Sequence, residues 1–186
     1  IPLIIHKVKV PKTGNLENHA RKLRFSVFAK VLDSYKFDKI LLAHQREDQA
    51  ETVLLNLFRG SGITGMAGIK AISGKIVHPM LCFSRIELED ILSKLDITWR
   101  TDSSNLDNKF RRNLLRNELI PRLEREFNPM LSSHLSFVAE LFAQADKILK
   151  QRSESQYKRI CLDIQPERTV LSCPLLIKLS KIERYY

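Results

Sequence analysis

A histidine, two acids and an arginine follow one another at short spacing in one segment of this chain: His44, Asp48, Glu51 and Arg59. If the segment is helical, successive residues turn by about 100°, so Asp48 and Glu51 lie within about 60° of each other and Arg59 falls on nearly the same side. A guanidinium suits phosphate or carboxylate groups. The pattern predicts a site for a charged ligand.

Small residues extend this pattern. Five of them follow Arg59 within a short span: Gly60, Ser61, Gly62, Gly65 and Gly68. Glycine lets a backbone approach a ligand closely, which is compatible with a bound phosphate. The same spacing also serves plain turns, and a glycine-rich loop without a following Lys-Ser/Thr is a weak phosphate signal.

A strand and a helix must position these residues. Residues 40–43 form an apolar run, as expected for a parallel strand that is covered on both faces, and the run stops at His44. Open α/β sheets bind ligands at that carboxyl edge. From about Glu47 the apolar residues recur at helical spacing, and Gly60 stands where the helix should end. Acids at a helix N-terminus also complement its dipole without any ligand, which alone would explain Asp48 or Glu51.

The same segment carries a family resemblance. His44-x-x-Glu47-Asp48-Gln49-Ala50-Glu51-Thr52, followed by a leucine-rich helix and Arg59-Gly60-Ser61-Gly62, resembles the central signature of the tRNA(Ile)-lysidine synthetases of the PP-loop ATP pyrophosphatase superfamily. Two further segments agree with that family in order and spacing: Gly14 to Phe25, similar to its Asn-x-Glu-x-x-Ala-Arg helix, and Asp102 to Pro121, with Asp-Ser-Ser-Asn and Arg112-Asn113-x-x-Arg116. Three ordered motifs are far more specific than one.

The resemblance implies an α/β fold class. It predicts a partial doubly wound parallel sheet of the PP-loop, or adenine nucleotide alpha hydrolase-like, type, followed by a helical subdomain. Residues 1–128 would form the C-terminal part of a PP-loop ATP-binding catalytic domain. Residues 129–186 would form the helical subdomain and the start of a C-terminal region.

The resemblance also implies a ligase that modifies the wobble cytidine of an isoleucine tRNA with a CAU anticodon. ATP activates C2 of the base by adenylation, and the amine of free L-lysine then displaces AMP to form lysidine. Negative charge grows on the phosphates and the amine must lose a proton, so cations, backbone donors and carboxylates should surround the reacting groups. The expected cofactors are ATP and Mg²⁺.

Roles for individual residues follow from the resemblance by position. Asp48 and Glu51 are expected to bind Mg²⁺ or the lysine ammonium, or to activate the nucleophile, with Asp48 the candidate metal ligand. Arg59 is expected to act on the activated phosphate as a third catalytic residue. Nucleotide binding is expected from His44, Gly60, Ser61 and Gly62. Contacts with tRNA or substrate phosphate are expected from Arg112, Asn113, Arg116, Arg21 and Arg24.

The basic octet from Lys109 to Arg116 has an explanation without a ligand too. On a helix, Arg112 and Arg116 share one face, while Phe110, Leu114 and Leu115 can anchor the opposite side. Such a face suits a phosphate backbone. The same residues would equally form a solvated helix face whose charge is balanced by nearby glutamates: Glu118, Glu124 and Glu126.

The family's PP-loop, a Ser-Gly-Gly-x-Asp-Ser turn, is absent from this sequence and is expected N-terminal to Ile1. We therefore expect the chain to be a fragment that is inactive by itself. Without that part, one edge of the sheet would be exposed, which invites pairing with other chains. A homodimer is a further prediction. Three family positions differ in this chain, where Glu47 replaces an aspartate, Phe25 a tyrosine and His78 an arginine.

Composition sets wider bounds. The 186 residues are 44% hydrophobic and carry a net charge of +10, which favours an anionic partner such as nucleic acid. No apolar run is long enough to cross a bilayer. The three cysteines form no Cys-x-x-Cys pair, which argues against a disulfide scaffold or a zinc site and for a reducing cytoplasm.

Local signals predict the remaining elements. Strands are expected at Ile4–Val10, Ile97–Trp99, Arg159–Leu162 and Thr169–Leu171, with Trp99 in the core. Helices are expected from an Asn15 N-cap to about Leu32, from Arg85 to Leu95 after a capping box at Ser84, from Met130 to about Ile148, and from Pro174 to Ile182. Phe127-Asn128-Pro129 should end the preceding helix.

Two other functions remain open from the sequence. A different PP-loop adenylating enzyme would share the strand-to-helix site but should not need Arg112-Asn113-x-x-Arg116. A non-catalytic basic RNA-binding module would fit the charge and the missing PP-loop. ATP turnover separates the enzymes from the module, and lysine dependence separates the two enzymes.

Overall fold

The computed structural model describes residues 3–9, 16–100 and 111–186, and the side chains of residues 16–18 lie outside the description. It falls into two compact units. The first consists of Ile1–Ala43 and Ala71–Met80, and the second of His44–Lys70 and Leu81–Tyr186. The predicted N-cap Asn15, the Asp102-Ser-Ser-Asn105 motif and Phe110 lie outside the described residues.

The first unit contains one helix and a small sheet. Helix α1 spans Leu16–Ser34, and the strands are β1 (Ile40–Leu41), β2 (Ile72–Ser73) and β3 (Ile76–Val77). β3 lies in the middle, parallel to β1 and antiparallel to β2. The parallel pair and the helix confirm a mixed α/β architecture.

Two strand predictions for this unit are wrong in part. β1 is a strand, but Leu41 is 68% exposed, so it is not covered on both faces in the described structure. Residues 4–9 are irregular rather than a strand. An alternating pattern makes a strand only when a neighbour accepts its hydrogen bonds, and the described sheet of this unit contains only β1, β2 and β3.

The second unit is mainly helical. Its elements, in chain order, are α2 (Arg46–Phe58), α3 (Ile63–Met66), α4 (Arg85–Lys94), α5 (Arg111–Leu114), a π-helical turn (Leu115–Leu119), α6 (Ile120–Glu126), α7 (Leu131–Ile160), β4 (Cys161–Gln165), β5 (Arg168–Leu171), α8 (Cys173–Lys178) and α9 (Lys181–Tyr185). β4 and β5 form an antiparallel hairpin.

The core of the second unit joins α2 to the helices that follow residue 111. Leu54 of α2 packs with Leu115 of the π-helical turn and Ile120 of α6, and all three are buried. Leu55, Leu119 and Leu135 pack against this cluster. The long helix α7 brings Leu135 to it, so one apolar cluster fixes α2, α6 and α7 together.

Several predicted elements of this unit are confirmed, and others need correction. α2, α4 and the end of α6 at Phe127 lie where the sequence placed them. α7 continues well beyond Ile148 and takes up residues 159–160, which were predicted as strand. Residues 97–99 are irregular, and Trp99 is 46% exposed rather than in the core.

Cys82, Cys161 and Cys173 are all free, as expected from their spacing. Among the described residues, no helix has both the length and the apolar character needed to cross a membrane. The second unit runs through residue 128 without a break, so a domain boundary at that point stays a prediction.

Candidate functional site

The N-terminus of α2 fixes the first of the predicted site residues. Asp48 is the third residue of the helix, and its Oδ2 accepts a hydrogen bond of 2.8 Å from the backbone N–H of Gln45, the N-cap. This contact caps the start of the helix as in a capping box. It gives a partner to a backbone N–H that no carbonyl of the helix can accept from. The side chain of Asp48 is thereby fixed, and Oδ1 remains available to other donors.

Glu51, one turn further on, carries its carboxylate in the interior. Its side chain is only 1% exposed, and two arginines bind it. Arg112 Nε donates to Oε2 at 2.6 Å, and Arg116 Nε donates to Oε1 at 2.5 Å. Each oxygen therefore has a charged donor, which is the condition under which a buried carboxylate is tolerated.

The same two arginines also bind Asp48. The Nη2 atoms of Arg112 and Arg116 lie 3.1 and 2.8 Å from Asp48 Oδ1. Arg112 Nη2 also donates to the backbone carbonyl of Asp48 at 3.4 Å. We call these four residues, Asp48, Glu51, Arg112 and Arg116, the charge cluster. Two acids and two guanidinium groups make it neutral as a whole.

The π-helical turn positions the two arginines. Arg112 lies in α5 and Arg116 in the turn that follows, where Leu115 is buried in the core. π-turns are rare and widen a helix locally, and they occur often at functional sites. Leu115 packs against Leu54 of α2, and both guanidinium groups bind Glu51 of the same helix.

The surroundings of Arg116 raise its pKa. Burial by itself would lower the pKa of this guanidinium, but the hydrogen bonds and negative charges of Glu51 and Asp48 together outweigh burial and raise it. Arg116 is therefore charged at neutral pH.

The charge cluster does not fit Mg²⁺ as it stands. Asp48 Oδ1 and both oxygens of Glu51 accept from guanidinium groups, and Asp48 Oδ2 accepts from Gln45. A cation at Asp48 would lie beside two guanidinium groups, whose positive charges disfavour it. Within the described ranges there is also no group of three or more His, Cys, Asp or Glu side chains able to hold a metal ion.

Arg59 and the glycines follow the other end of α2, away from the charge cluster. Arg59 is the C-cap, and Gly60 takes a positive φ of 70° that favours glycine. The N–H groups of Gly60 and Ser61 donate to the carbonyls of Leu57 and Asn56 at 2.9 and 3.0 Å. A Cβ built on Gly60 would meet no atom within 4 Å, so the backbone is open to a ligand there.

The other predicted site residues lie elsewhere. Arg21 and Arg24 belong to α1 of the first unit, where their guanidinium carbons lie 5.0 and 6.0 Å from the ring centre of Phe25 as cation–π contacts. His44 is half-buried and directly precedes the N-cap of α2, and Asn113 is half-buried in α5.

Sequence reasoning missed two polar side chains that hold the loop after α2. Gln49 is buried, and its Oε1 accepts from the N–H of Ile69 at 2.6 Å while its Nε2 donates to the carbonyl of Ile69 at 3.2 Å. The neighbouring Gly68 has a positive φ of 61°. Gln49 lies inside the recognised motif, and that membership is the only signal in the sequence.

Asp146 of α7 is the second missed residue. Its side chain is 4% exposed, and it accepts from Thr64 at 2.5 Å, from Lys150 at 2.7 Å and from Tyr186 at 3.1 Å. Burial tends to raise the pKa of this carboxyl, but the hydrogen bonds from Lys150, Thr64 and Tyr186 together lower it. Asp146 thus ties α3, next to the glycine-rich loop, to α7. No sequence signal marks this site, because two of its partners, Thr64 and Tyr186, are distant from Asp146 in the chain.

Comparison with known proteins agrees with the resemblance seen in the motifs. A family model described as a PP-loop domain matches residues 1–123. A tRNA(Ile)-lysidine synthase of Francisella tularensis subsp. tularensis (strain WY96-3418) is 38% identical over 159 residues, which are 83% of this chain and 40% of the relative.

Two further relatives carry the same name. The tRNA(Ile)-lysidine synthase of Solibacter usitatus (strain Ellin6076) is 41% identical over 135 residues, 72% of this chain and 30% of the relative. That of Caldanaerobacter subterraneus subsp. tengcongensis is 33% identical over 166 residues, 87% of this chain and 36% of the relative. The chain spans two fifths or less of the length of these relatives. Since the domain match extends over well more than half of the 186 residues, the chain belongs to the PP-loop domain family.

Proposed function

We propose that this chain is the part of a tRNA(Ile)-lysidine synthase that holds the reacting groups. ATP adenylates the C2 oxygen of the wobble cytidine of an isoleucine tRNA with a CAU anticodon and pyrophosphate leaves. The amine of free L-lysine then attacks C2, loses a proton and displaces AMP. The C2–N bond of lysidine forms as the C2–O bond to AMP breaks.

The charge cluster is the observation that carries this proposal. Its two halves come from two motifs of the family resemblance, which lie about sixty residues apart: Asp48-x-x-Glu51 and Arg112-Asn113-x-x-Arg116. The sequence gives no reason, apart from the resemblance, for these motifs to meet. Their contact supports a single site built from both, and a basic module without such a site would not need it.

The accessibility of the two acids suggests a division of roles. Glu51 is buried beneath two guanidinium groups, whereas the side chain of Asp48 is 16% exposed. We assign Glu51 to the positioning of Arg112 and Arg116, and Asp48 to the ammonium of the incoming lysine. An ammonium at Asp48 would compete with the guanidinium groups, and Arg112 or Arg116 would then be released toward a phosphate of the substrate.

The other end of α2 is proposed to hold the activated phosphate. Arg59 offers a guanidinium, and the open backbone at Gly60 permits close approach, with Ser61 and Gly62 continuing the turn. His44 and Asn113 are retained as nucleotide and substrate contacts, and Arg21 and Arg24 as tRNA contacts. Mg²⁺ accompanies ATP in this proposal, without a ligand assigned among the described side chains.

The proposed substrates are ATP, free L-lysine and isoleucine tRNA. A cytoplasmic location and a homodimer remain predictions. The net charge of +10 supports a polyanionic partner.

The test is a turnover assay on the complete product of the gene, with release of AMP from ATP measured with and without lysine and tRNA. We expect release to require both. Asp48→Asn should raise the KM for lysine by about tenfold or more while leaving the KM for ATP within about twofold, because a charged hydrogen bond to the amine is weakened. Arg59→Ala should instead lower kcat about 100-fold.

Arg125→Ala is the matched control, since this exposed arginine of α6 pairs only with Glu126 in the described structure. It should leave every constant within about twofold. Release of AMP that ignores lysine would favour another PP-loop adenylating enzyme. Binding of tRNA without any ATP turnover would favour the RNA-binding module.

A further inference from the structure

A groove of about 440 Å³ lies beside the C-terminal end of α2, and the predicted roles above leave most of it unused. Its apolar floor comes from Leu55, Leu115 and Leu119. On its rim, Phe58 is 63% and Leu114 is 43% exposed. We call it the α2 groove. An exposed aromatic side chain over an apolar floor is a surface on which a flat ring can stack.

The charged residues of the α2 groove are mostly positive. Three arginines line it, Arg59, Arg111 and Arg122, with one acid, Glu118. Arg122 is bound to Glu126 at 3.1 Å, as an exposed pair of small energetic value. The described structure gives Arg59 and Arg111 no ion pair. Arg112 and Arg116, on the same helical segment, are already neutralised in the charge cluster.

This combination restricts the ligand. A purely apolar partner would remove water from the guanidinium groups without replacing their hydrogen bonds, which is unfavourable. A small inorganic anion would leave Phe58 and Leu114 exposed. A nucleotide satisfies both halves, because its base has an apolar face and its phosphate accepts from arginine.

The hydrogen bonds of the neighbouring backbone indicate whether the groove suits free ATP or a nucleotide of an RNA. A triphosphate needs several donors close together, but the N–H groups of Gly60 and Ser61 already donate to Leu57 and Asn56. The α2 groove therefore suits a single phosphate with its base better than it suits ATP.

We propose that the α2 groove binds one unstacked nucleotide of the RNA substrate, next to the nucleotide being modified. The base lies on Phe58 and Leu114, and its phosphate lies at Arg111 and Arg122. Arg59, which also lines the groove, remains with the activated phosphate. This inference rests on the proposed function, since it places the RNA strand across the site that the function requires.

The experiment measures binding of the anticodon stem-loop to the complete gene product by fluorescence anisotropy, with ATP binding measured separately by calorimetry. Phe58→Ala should weaken RNA binding by about 5- to 30-fold, since stacking on the aromatic ring is lost, and Phe58→Trp should restore it. Arg111→Ala should weaken RNA binding by about fivefold and reduce the salt dependence by about one phosphate contact, which Arg111→Lys should recover in part. ATP binding should be unchanged.

A substituted RNA identifies the stacked base. Removing one base at a time from the loop should reveal a single position whose loss weakens binding to the unchanged protein but has no further effect on Phe58→Ala. Arg125→Ala, outside the groove, should alter RNA binding by less than about twofold. Thermal melting of each variant confirms that it is folded, which is expected because Phe58 and Arg111 are exposed.

Two results would overturn the inference. If Phe58→Ala and Arg111→Ala bind RNA like Arg125→Ala, the α2 groove does not hold an RNA nucleotide. If they lose ATP affinity and keep RNA affinity, the groove holds the free nucleotide instead. Lysine-dependent release of AMP is measured in parallel. If AMP release still depends on lysine while the groove variants bind RNA normally, the groove inference is wrong but the proposed function stands.

Discussion

The Glu51 carboxylate is charged and almost inaccessible to water. The two arginines that bind it offset the free-energy cost of burying this charge. Buried ions are strongly disfavoured unless every lone pair finds a partner, and the loss of one partner leaves the others exposed to the same penalty. Arg112 and Arg116 meet this requirement from a distant part of the chain. The charge cluster is therefore a tertiary contact as well as a candidate site.

Replacing the Glu51 carboxylate by an amide tests that contact. We expect Glu51→Gln to lower the free energy of unfolding by about 3 kcal/mol, because two guanidinium groups would keep only Asp48 as a charged partner. Combined with Arg116→Met, the loss should fall short of the sum by about 1 kcal/mol or more. Urea denaturation measures both effects.

The exposed pair of Arg122 and Glu126 supplies the comparison within the same unit. Glu126→Gln should change the free energy of unfolding by no more than about 0.5 kcal/mol. A similar small change for Glu51→Gln would show that the charge cluster does not contribute to the fold.

At this scale the sequence predicts part of the site. The 100° spacing placed Asp48 and Glu51 together, and the structure has them on the same two arginines. It also placed Arg59 on nearly the same side, yet thirteen residues of helix carry Arg59 to the opposite end of α2. The pairing with Arg112 and Arg116 was not predicted, because it depends on packing between segments that are far apart in the chain.

At the scale of the elements, the close contact between Gly68 and the Gln49 side chain fixes the path of the loop after α2. A Cβ on Gly68 would lie 2.6 Å from Gln49 Oε1, whereas one on Gly60 would meet nothing within 4 Å. Both glycines have a positive φ, so they share the same backbone strain on substitution. Only Gly68 adds a collision.

The two glycines therefore form a matched pair of substitutions. Gly60→Ala should destabilise the protein by about 1 kcal/mol through backbone strain alone. Gly68→Ala should reduce stability by about 2 to 3 kcal/mol, because Gln49 must also release Ile69. In a Gln49→Ala background, the two glycine substitutions should cause equal losses of stability, as measured by chemical denaturation. Equal effects in the unaltered background would contradict the role given to Gln49.

The last helix, α9, depends on a carboxylate with a lowered pKa. Hydrogen bonds from the Ser180 hydroxyl and from Arg152, with the Ser180 N–H, bring the pKa of Glu183 from 4.5 to about 2. A lowered carboxyl pKa stabilises the folded state above the ordinary value, and that contribution disappears as the pH falls through the folded value. The link from α9 to Arg152 of α7 should thus hold at neutral pH.

Acid titration tests this link. Amide protection of residues 181–185, measured by NMR, should stay constant from pH 7 to 5 and fall between about pH 4.5 and 2. Glu183→Gln should give weaker protection at neutral pH and remove this titration, leaving only the contribution of Asp146, whose pKa is also lowered. Protection of the unaltered helix that is unchanged at pH 2 would show that Glu183 does not hold α9.

Elements defined by local signals were the ones that sequence could predict. The capping box at Ser84 and the glycine after α2 mark helix ends through contacts a few residues apart, and both are found. The strands expected at residues 4–10 and 97–99 depended on partners that no local pattern names. α7 continues into residues 159–160, where a strand was expected, because tertiary packing outweighs weak local preference.

In the whole molecule, some positively charged side chains are neutralised by acids, whereas others are available to bind a ligand. The chain has 31 lysines and arginines against 21 acids. Two arginines are spent on Asp48 and Glu51, while others line the α2 groove. A polyanion would therefore be drawn toward the groove rather than toward the neutral charge cluster.

The central claim is that lysine becomes joined to a base of isoleucine tRNA. Radiolabelled lysine, ATP and this tRNA, incubated with the complete gene product, should yield label in the tRNA that survives mild alkali. An ester at the 3′ end would be hydrolysed, whereas a C–N bond on cytidine would persist. The predicted result is label that survives alkali and that, at limiting lysine, forms about tenfold more slowly with Asp48→Asn. No label, or label removed by alkali, would contradict the claim.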